Sequence, residues 1–195
     1  MRWLLSALLL FAIGRARPLL DVVGTATFYG NPSYNGDPYG MHEGTCACWK
    51  ARAYNVCYND VCFDDIVYPY HVAAVSTPGI ENTKECGTCY QVTCVPGDLR
   101  GTDHSVLGPW QACLYPNASV VVTVTDSCPC HHPNPNNAYH CCGPKKHFDL
   151  SFWAYKKIAR HEFGVIDVRY RKVACPDTGV RPSQCCRASL RCVKE

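Results

Sequence analysis

A mostly β fold, a small barrel of short strands braced by disulfides, is what this chain predicts. Four segments have strand periodicity, one segment has helical spacing, and 16 cysteines are spread through long connections rich in Gly, Pro and Asn. The first strand is "GTATFYG" at 24–30, closed by a glycine. The second, "CYQVTC" at 89–94, alternates, with Tyr90, Val92 and Cys94 on one face and Cys89, Gln91 and Thr93 on the other. The third, "SVVVTVTD" at 119–126, is nearly all β-branched, as a strand buried on both faces requires. The fourth, "VIDVRYRKV" at 165–173, turns Ile166, Val168 and Tyr170 inward and Asp167, Arg169 and Arg171 outward.

The helix lies near the C-terminal end, between the last two strands. Asp149 or Ser151 can cap it, and Ala154, Tyr155, Ile158 and Ala159 then share one face. Lys156, Lys157 and Arg160 face solvent, and Gly164 offers a left-handed stop. "NPSYNGDPYGMHEGTCACW" and "CHHPNPNNAYHCCGPKK" are too long for tight turns and read as functional or disulfide-pinned loops. The final stretch, 176–195, has no strand or helix period and is expected to be a Cys-tethered tail to a single domain over 21–175.

The opening residues set the expected compartment. "MRWLLSALLLFAIGRAR" places Arg2 before an apolar run from Trp3 to Ile13 and small residues after it, a secretory signal peptide over 1–17. The run is too short for a stable membrane anchor, and no later stretch approaches a span. All the cysteines fall between Cys46 and Cys192, which reads as a disulfide framework of undetermined pairing. Zinc is the competing reading for "CHHPNPNNAYHCC", but C-x-C and C-C pairs do not match structural zinc spacing, so no metal and no cofactor are expected. "CGTC" at 86–89 lacks the βαβ context of a redox pair. The net charge of +3 includes Arg2 and Arg15 of the leader, so nucleic acid has no electrostatic case as a partner. A monomer is expected, and "NAS" at Asn117 is a glycosylation acceptor motif.

The order of "TATFYG", "CGTCYQVTC", "ACLYPNASVVVTVTD", "NNAYHCCGPKKHFDLS" and "VRYRKVAC" resembles the first domain of expansins over Gly24 to Cys175. The resemblance implies a six-stranded double-psi β-barrel related to family-45 endoglucanases. It also implies an extracellular protein that loosens cell-wall polysaccharide, a β-glucan or a related polymer, without cutting it. Asp149 and Asp126 match the catalytic positions, and Thr27, Tyr29 and His147 the substrate-binding positions in an open groove. Two features depart from the usual pattern. Only a short Cys-bearing stretch follows Cys175 where expansins carry a second domain, and the loop from Cys46 to Cys86 is unusually rich in Cys and Asp.

The residues themselves leave alternatives standing. Asp149 can be a plain helix cap, Asp126 can end its strand in an Asx-turn, and His147 can be a structural histidine. Trp49, Trp110 and Trp153 can be core rather than sugar platforms. An inverting glycosidase needs an acid and a base about 6.5–9.5 Å apart. In the family-45 enzymes that base comes from the end of the first strand, where this chain has Thr27 and Tyr29. The next acid, Asp37, sits in a Pro/Gly loop, so hydrolysis is disfavoured. An endoglucanase and a non-catalytic binding or signalling module are the other classes to separate.

Overall fold

The computed structural model describes residues 22–30, 44–47, 61–66, 69–77, 80–81, 85–96, 99–100, 106–107, 112–130, 135–176, 180–186 and 191–193. The leader, Asp37, Trp49 and Trp110 lie outside them. In chain order the strands are β1 Val22–Tyr29, β2 Val61–Ile66, β3 Val72–Thr77, β4 Ile80–Glu81, β5 Cys89–Val95, β6 Leu99–Arg100 and β7 Val106–Leu107. They continue with β8 Ser119–Ser127, β9 His147–Ser151, β10 Ile166–Val173, β11 Val180–Cys186 and β12 Arg191–Val193.

Six strands close on themselves in the order β3-β8-β5-β10-β1-β9, and β9 pairs back onto β3. Two pairings, β1 with β9 and β3 with β8, are parallel; the other four are antiparallel. Closure leaves this sheet without open barrel edges. Its inside is filled by alternate residues: Ala26, Ala73, Val75, Tyr90, Val92, Cys94, Val120, Val122, Val124, Phe148, Leu150, Ile166 and Val168 form one buried cluster. The four periodic segments of the sequence are therefore β1, β5, β8 and β10, within two residues at each end.

Four readings of the sequence need correction. Asp149 neither caps nor opens a helix; it lies mid-strand in β9, and Ser151 is the cap, its Oγ accepting from the Ala154 amide at 3.3 Å. The α-helix itself is one turn, Phe152–Tyr155, continued by turns that still bury Ile158 and Ala159. A second short helix, Pro135–Cys141, sits inside what reads as a loop. The C-terminal stretch is also not irregular throughout: β11 pairs with β2 and β12 in a separate three-stranded sheet, with a bulge at Arg181/Pro182. Proline donates no ladder hydrogen bond, which suits a bulge.

Five disulfides join described residues: Cys46–Cys86, Cys89–Cys175, Cys94–Cys113, Cys128–Cys141 and Cys130–Cys142. The two cysteines of "CGTC" thus bond elsewhere rather than to each other. Cys128, Cys130, Cys141 and Cys142 staple the Pro135–Cys141 helix beneath the end of β8.

Just ahead of β9, Lys146 is 8% exposed and donates to Glu85 Oε2 at 2.8 Å, while the Tyr90 hydroxyl donates to the same oxygen at 2.7 Å. Burial raises the Glu85 carboxyl, but those bonds and the Lys146 charge more than offset it and hold the group below its usual value. A depressed carboxyl contributes stability above its unfolded pKa and loses it as pH falls through the folded one. Glu85→Gln is accordingly expected to destabilise the protein by about 1.5–3 kcal/mol at pH 7. Denaturant melts of both proteins at pH 7 and at pH 3 check this, because the difference should shrink at the acidic end.

Candidate functional site

Register builds the site. Thr27 of β1 lies opposite Asp149 of β9, Asp149 opposite Ala74 of β3, and Ala74 opposite Asp126 of β8. One row across four strands therefore reads Thr27, Asp149, Ala74, Asp126. With strands spaced about 4.8 Å, the two aspartate backbones stand about 10 Å apart, with only the small Ala74 between them.

Asp126 reaches this row because of a bulge. Val120, Val122 and Val124 point into the barrel, so strict alternation would send Asp126 inward as well. The register slips between Ala73 and Ala74, however, where Ala73 faces Val124 and Ala74 faces Asp126. Thr125 is the extra residue, and it re-aims the next side chain outward. Asp126 Oδ1 then accepts from the Thr45 amide at 2.6 Å and from the Ser127 amide at 2.8 Å. The turn carrying Thr45 fits only because of Gly44: a Cβ there would lie 2.4 Å from the Thr125 carbonyl oxygen and 3.1 Å from the Asp126 Cβ. Gly44→Ala is expected to push this turn away, cost about 1–3 kcal/mol, and release the Asp126 carboxylate. The readouts are the melting temperature and the backbone amide shift of Thr45, which should lose its downfield hydrogen-bonded position.

The other end of the row is a directed chain of hydrogen bonds. Thr27 Oγ1 donates to Asp149 Oδ1 at 2.8 Å, so its single proton is used. His147 Nε2, 2.8 Å from Thr27 Oγ1, must then be the donor of that pair. Nδ1 of the same ring is left as an acceptor for Thr25 Oγ1, also at 2.8 Å. Burial, and secondarily His140, pushes the His147 pKa down to about 3, which keeps the ring neutral as this chain requires. A proton arriving on Asp149 Oδ1 reverses every donor from Asp149 to Thr25.

Burial raises the Asp149 carboxyl from 3.8 to about 6; the Thr27 bond lowers it in part, and the Asp126 charge raises it further. Tyr29, two residues beyond Thr27, has its phenol pushed up by burial and then by Asp126 and Asp149. It therefore stays a neutral donor beside both carboxylates. Tyr29 also packs with Tyr70 and Trp153, whose rings are 4.8 Å apart, around Ile66 and Val72. Ser151, opposite Tyr29 in the register, ties this patch down by donating to the Tyr70 carbonyl oxygen.

The structure thus brings Thr27, Tyr29, Asp149 and Asp126 to one face. His147 stands apart: it is fully buried and meets the row only through Thr27. Thr25, Thr45 and Tyr70 are not marked by the sequence, and Ser151 is marked only as a helix cap. Thr25 was available to a sequence reading, since residues two apart on a strand share a face with Thr27. Among the described residues no cluster of His, Cys, Asp and Glu is arranged to hold a metal ion.

A closed six-stranded barrel with two parallel and four antiparallel pairings is a double-psi β-barrel. Residues 72–170 match the family model of that barrel, described as lytic transglycolase. The chain belongs to this double-psi β-barrel family and is expansin-like. It is 34% identical to Expansin-A17 of Oryza sativa subsp. japonica over 80% of this chain and 46% of that protein. With Expansin-A24 of Arabidopsis thaliana the identity is 33%, over 80% of this chain and 40% of the relative. The chain spans about half the length of the curated relatives it matches. Among solved structures, an expansin of Clavibacter michiganensis overlaps 79% of this chain and 50% of its own at 23% identity, with a TM-score of 0.41. The β-1,4-D-endoglucanase of the blue mussel Mytilus edulis overlaps 82% of each chain at 17% identity, with a TM-score of 0.46.

Proposed function

We propose that this protein is secreted and binds cell-wall polysaccharide, a β-glucan or a related polymer, along the Thr27–Asp149–Ala74–Asp126 row, loosening the polymer without hydrolysing it. One observation carries the reading. The β1 residue paired with Asp149 is Thr27, whose hydroxyl holds the acid in place and cannot act as the base that activates water. Asp126 is an acid on the same row, and two backbone amides occupy its Oδ1. Thr27, Tyr29 and a protonated Asp149 can instead exchange hydrogen bonds with sugar hydroxyls, while Tyr29, Tyr70 and Trp153 supply apolar surface for sugar rings. The disulfides suit an oxidising, extracellular location, and the expansin relatives support a role at the cell wall.

The second reading is an endoglucanase with Asp149 as acid and Asp126 as base. Their separation by one intervening strand is what favours it. Purified protein incubated with soluble and crystalline β-glucan separates the two. The expected result is creep of a wall strip under load, larger below pH 6 where Asp149 is protonated, with no chain shortening by mass spectrometry. Steady depolymerisation, hydrolytic or transglycosylating, abolished by Asp149→Asn, would replace the first reading by the second.

A further inference from the structure

A pocket of about 310 Å³ lies against the N-terminal ends of β3 and β8, lined among others by His71, Tyr115, Ser119, Lys157, Pro69 and Pro176. Three residue steps separate His71, at its edge, from Ala74 of the aspartate row, and five separate Val121 from Asp126, so the pocket stands about 10–17 Å along the strands from that row. It is a different site.

Its polar groups are of one kind. His71 Nε2 is buried and has no hydrogen-bond partner among the described residues. Lys157 is exposed and forms no ion pair among the described residues. Among the described residues no acidic side chain lines the pocket. Burial, then the Lys157 charge, lowers the His71 pKa, so the ring is neutral and can donate one N–H. The Ser119 hydroxyl accepts from Gln91 Nε2 at 3.3 Å and keeps its own proton to give. At the rim, Tyr115 leaves 57% of its surface exposed, an aromatic face with no burial of its own to explain it. Val120, Val121 and the two prolines supply an apolar floor.

The pocket is also held rigidly. The Tyr115 turn is locked by the Cys94–Cys113 disulfide and by two bonds to the Lys157 segment, Leu114 N to Ile158 O at 3.0 Å and Arg160 N to Ala112 O at 2.8 Å. Pro176 follows Cys175, which is bonded to Cys89. The His71 carbonyl is fixed by the Thr123 amide at 3.1 Å. A preformed pocket at the small end of the ligand-site range, with cationic and donor groups on one side and an aromatic edge on the other, suits a single sugar ring bearing an anionic group.

We propose that this pocket binds one acidic sugar residue of a polysaccharide, its carboxylate held by Lys157, His71 and Ser119 and its ring against Tyr115. The inference is independent of the groove and of whether the groove cuts or only grips.

The test is calorimetric titration of the full, oxidised protein with oligogalacturonate, with its fully methyl-esterified form, and with a sulfated neutral oligosaccharide of the same length. Oligogalacturonate is expected to bind, with affinity at least tenfold weaker for Lys157→Gln and for Tyr115→Ala, and to be undiminished in Asp149→Asn. Loss of binding in Asp149→Asn would place the ligand in the groove and overturn the proposal. Equal affinity for the esterified oligomer, or affinity unchanged in Lys157→Gln and in His71→Phe, would overturn it as well. Stronger binding of the sulfated oligomer than of the uronate would overturn the carboxylate assignment. Lys157 and Tyr115 are exposed, so these variants fold, and melting temperatures verify it.

Discussion

Asp149→Asn is expected to leave a protein that is more stable at pH 7 and functionally impaired. A carboxyl raised from 3.8 to about 6 favours the folded state only while protonated. Below 3.8 both states carry the proton and no penalty exists. Between 3.8 and about 6 the unfolded chain ionises first, so stability falls, and above 6 the folded protein carries a cost of roughly 2–3 kcal/mol. Asparagine has no charge to bury and keeps an oxygen for the Thr27 hydroxyl. Thermal melts from pH 3 to pH 8 should show the variant gaining on the parent through that window and staying ahead. Wall creep should fall by about tenfold, the cost of one hydrogen bond given by the protonated acid. A variant equally active, or one less stable at pH 7, would contradict the burial of this acid as the source of its behaviour.

Phe148→Ala is expected to be the most damaging single truncation near the site. Phe148 is wholly buried between the outward-facing His147 and Asp149, with its ring 5.3 Å from that of Tyr90 and 5.0 Å from that of Tyr170. Lys146 Nζ lies 5.7 Å above the same ring. Removing it opens a cavity at a strand held on both sides, where neighbours cannot collapse inward. The expected loss is about 3–5 kcal/mol, or roughly 6–20 °C in melting temperature. Because β9 carries both ends of the His147–Asp149 chain, activity should fall at temperatures where the fold still persists. Phe148→Leu, with most of the volume restored, should recover most of the stability; failure to do so would point to the aromatic contacts rather than volume.

Alternation made β1, β5, β8 and β10 readable, since each has one face on the core and one off it. The segment "VAAVST" of β3 gave no such signal, because five of its six residues are buried and both faces are lined with small or β-branched side chains. "HFDLS" misled for a different reason. It runs straight into a capped turn, and four of its five residues are buried on either side of the sheet, so Asp149 looked like a cap residue. The helical spacing of Ala154, Tyr155, Ile158 and Ala159 correctly marked four buried positions, and a single turn of helix with following turns satisfies it as well as a long helix does. Within the site, the placing of Thr27 and Asp149 in one groove followed from motif resemblance, whereas the Gly44 turn over Asp126 depends on a close backbone approach between residues some eighty apart.

The slipped pairing at Thr125 makes the polarity of the cleft hinge on a single residue of strand length. Taking Thr125 into the ladder would set Asp126 in step with Val120, Val122 and Val124 and swing its carboxylate into the apolar lumen, turning a polar outer surface into a folding defect. Whether that residue stays out of the ladder, more than which residue it is, separates a barrel that can display charge from one that must stay sealed.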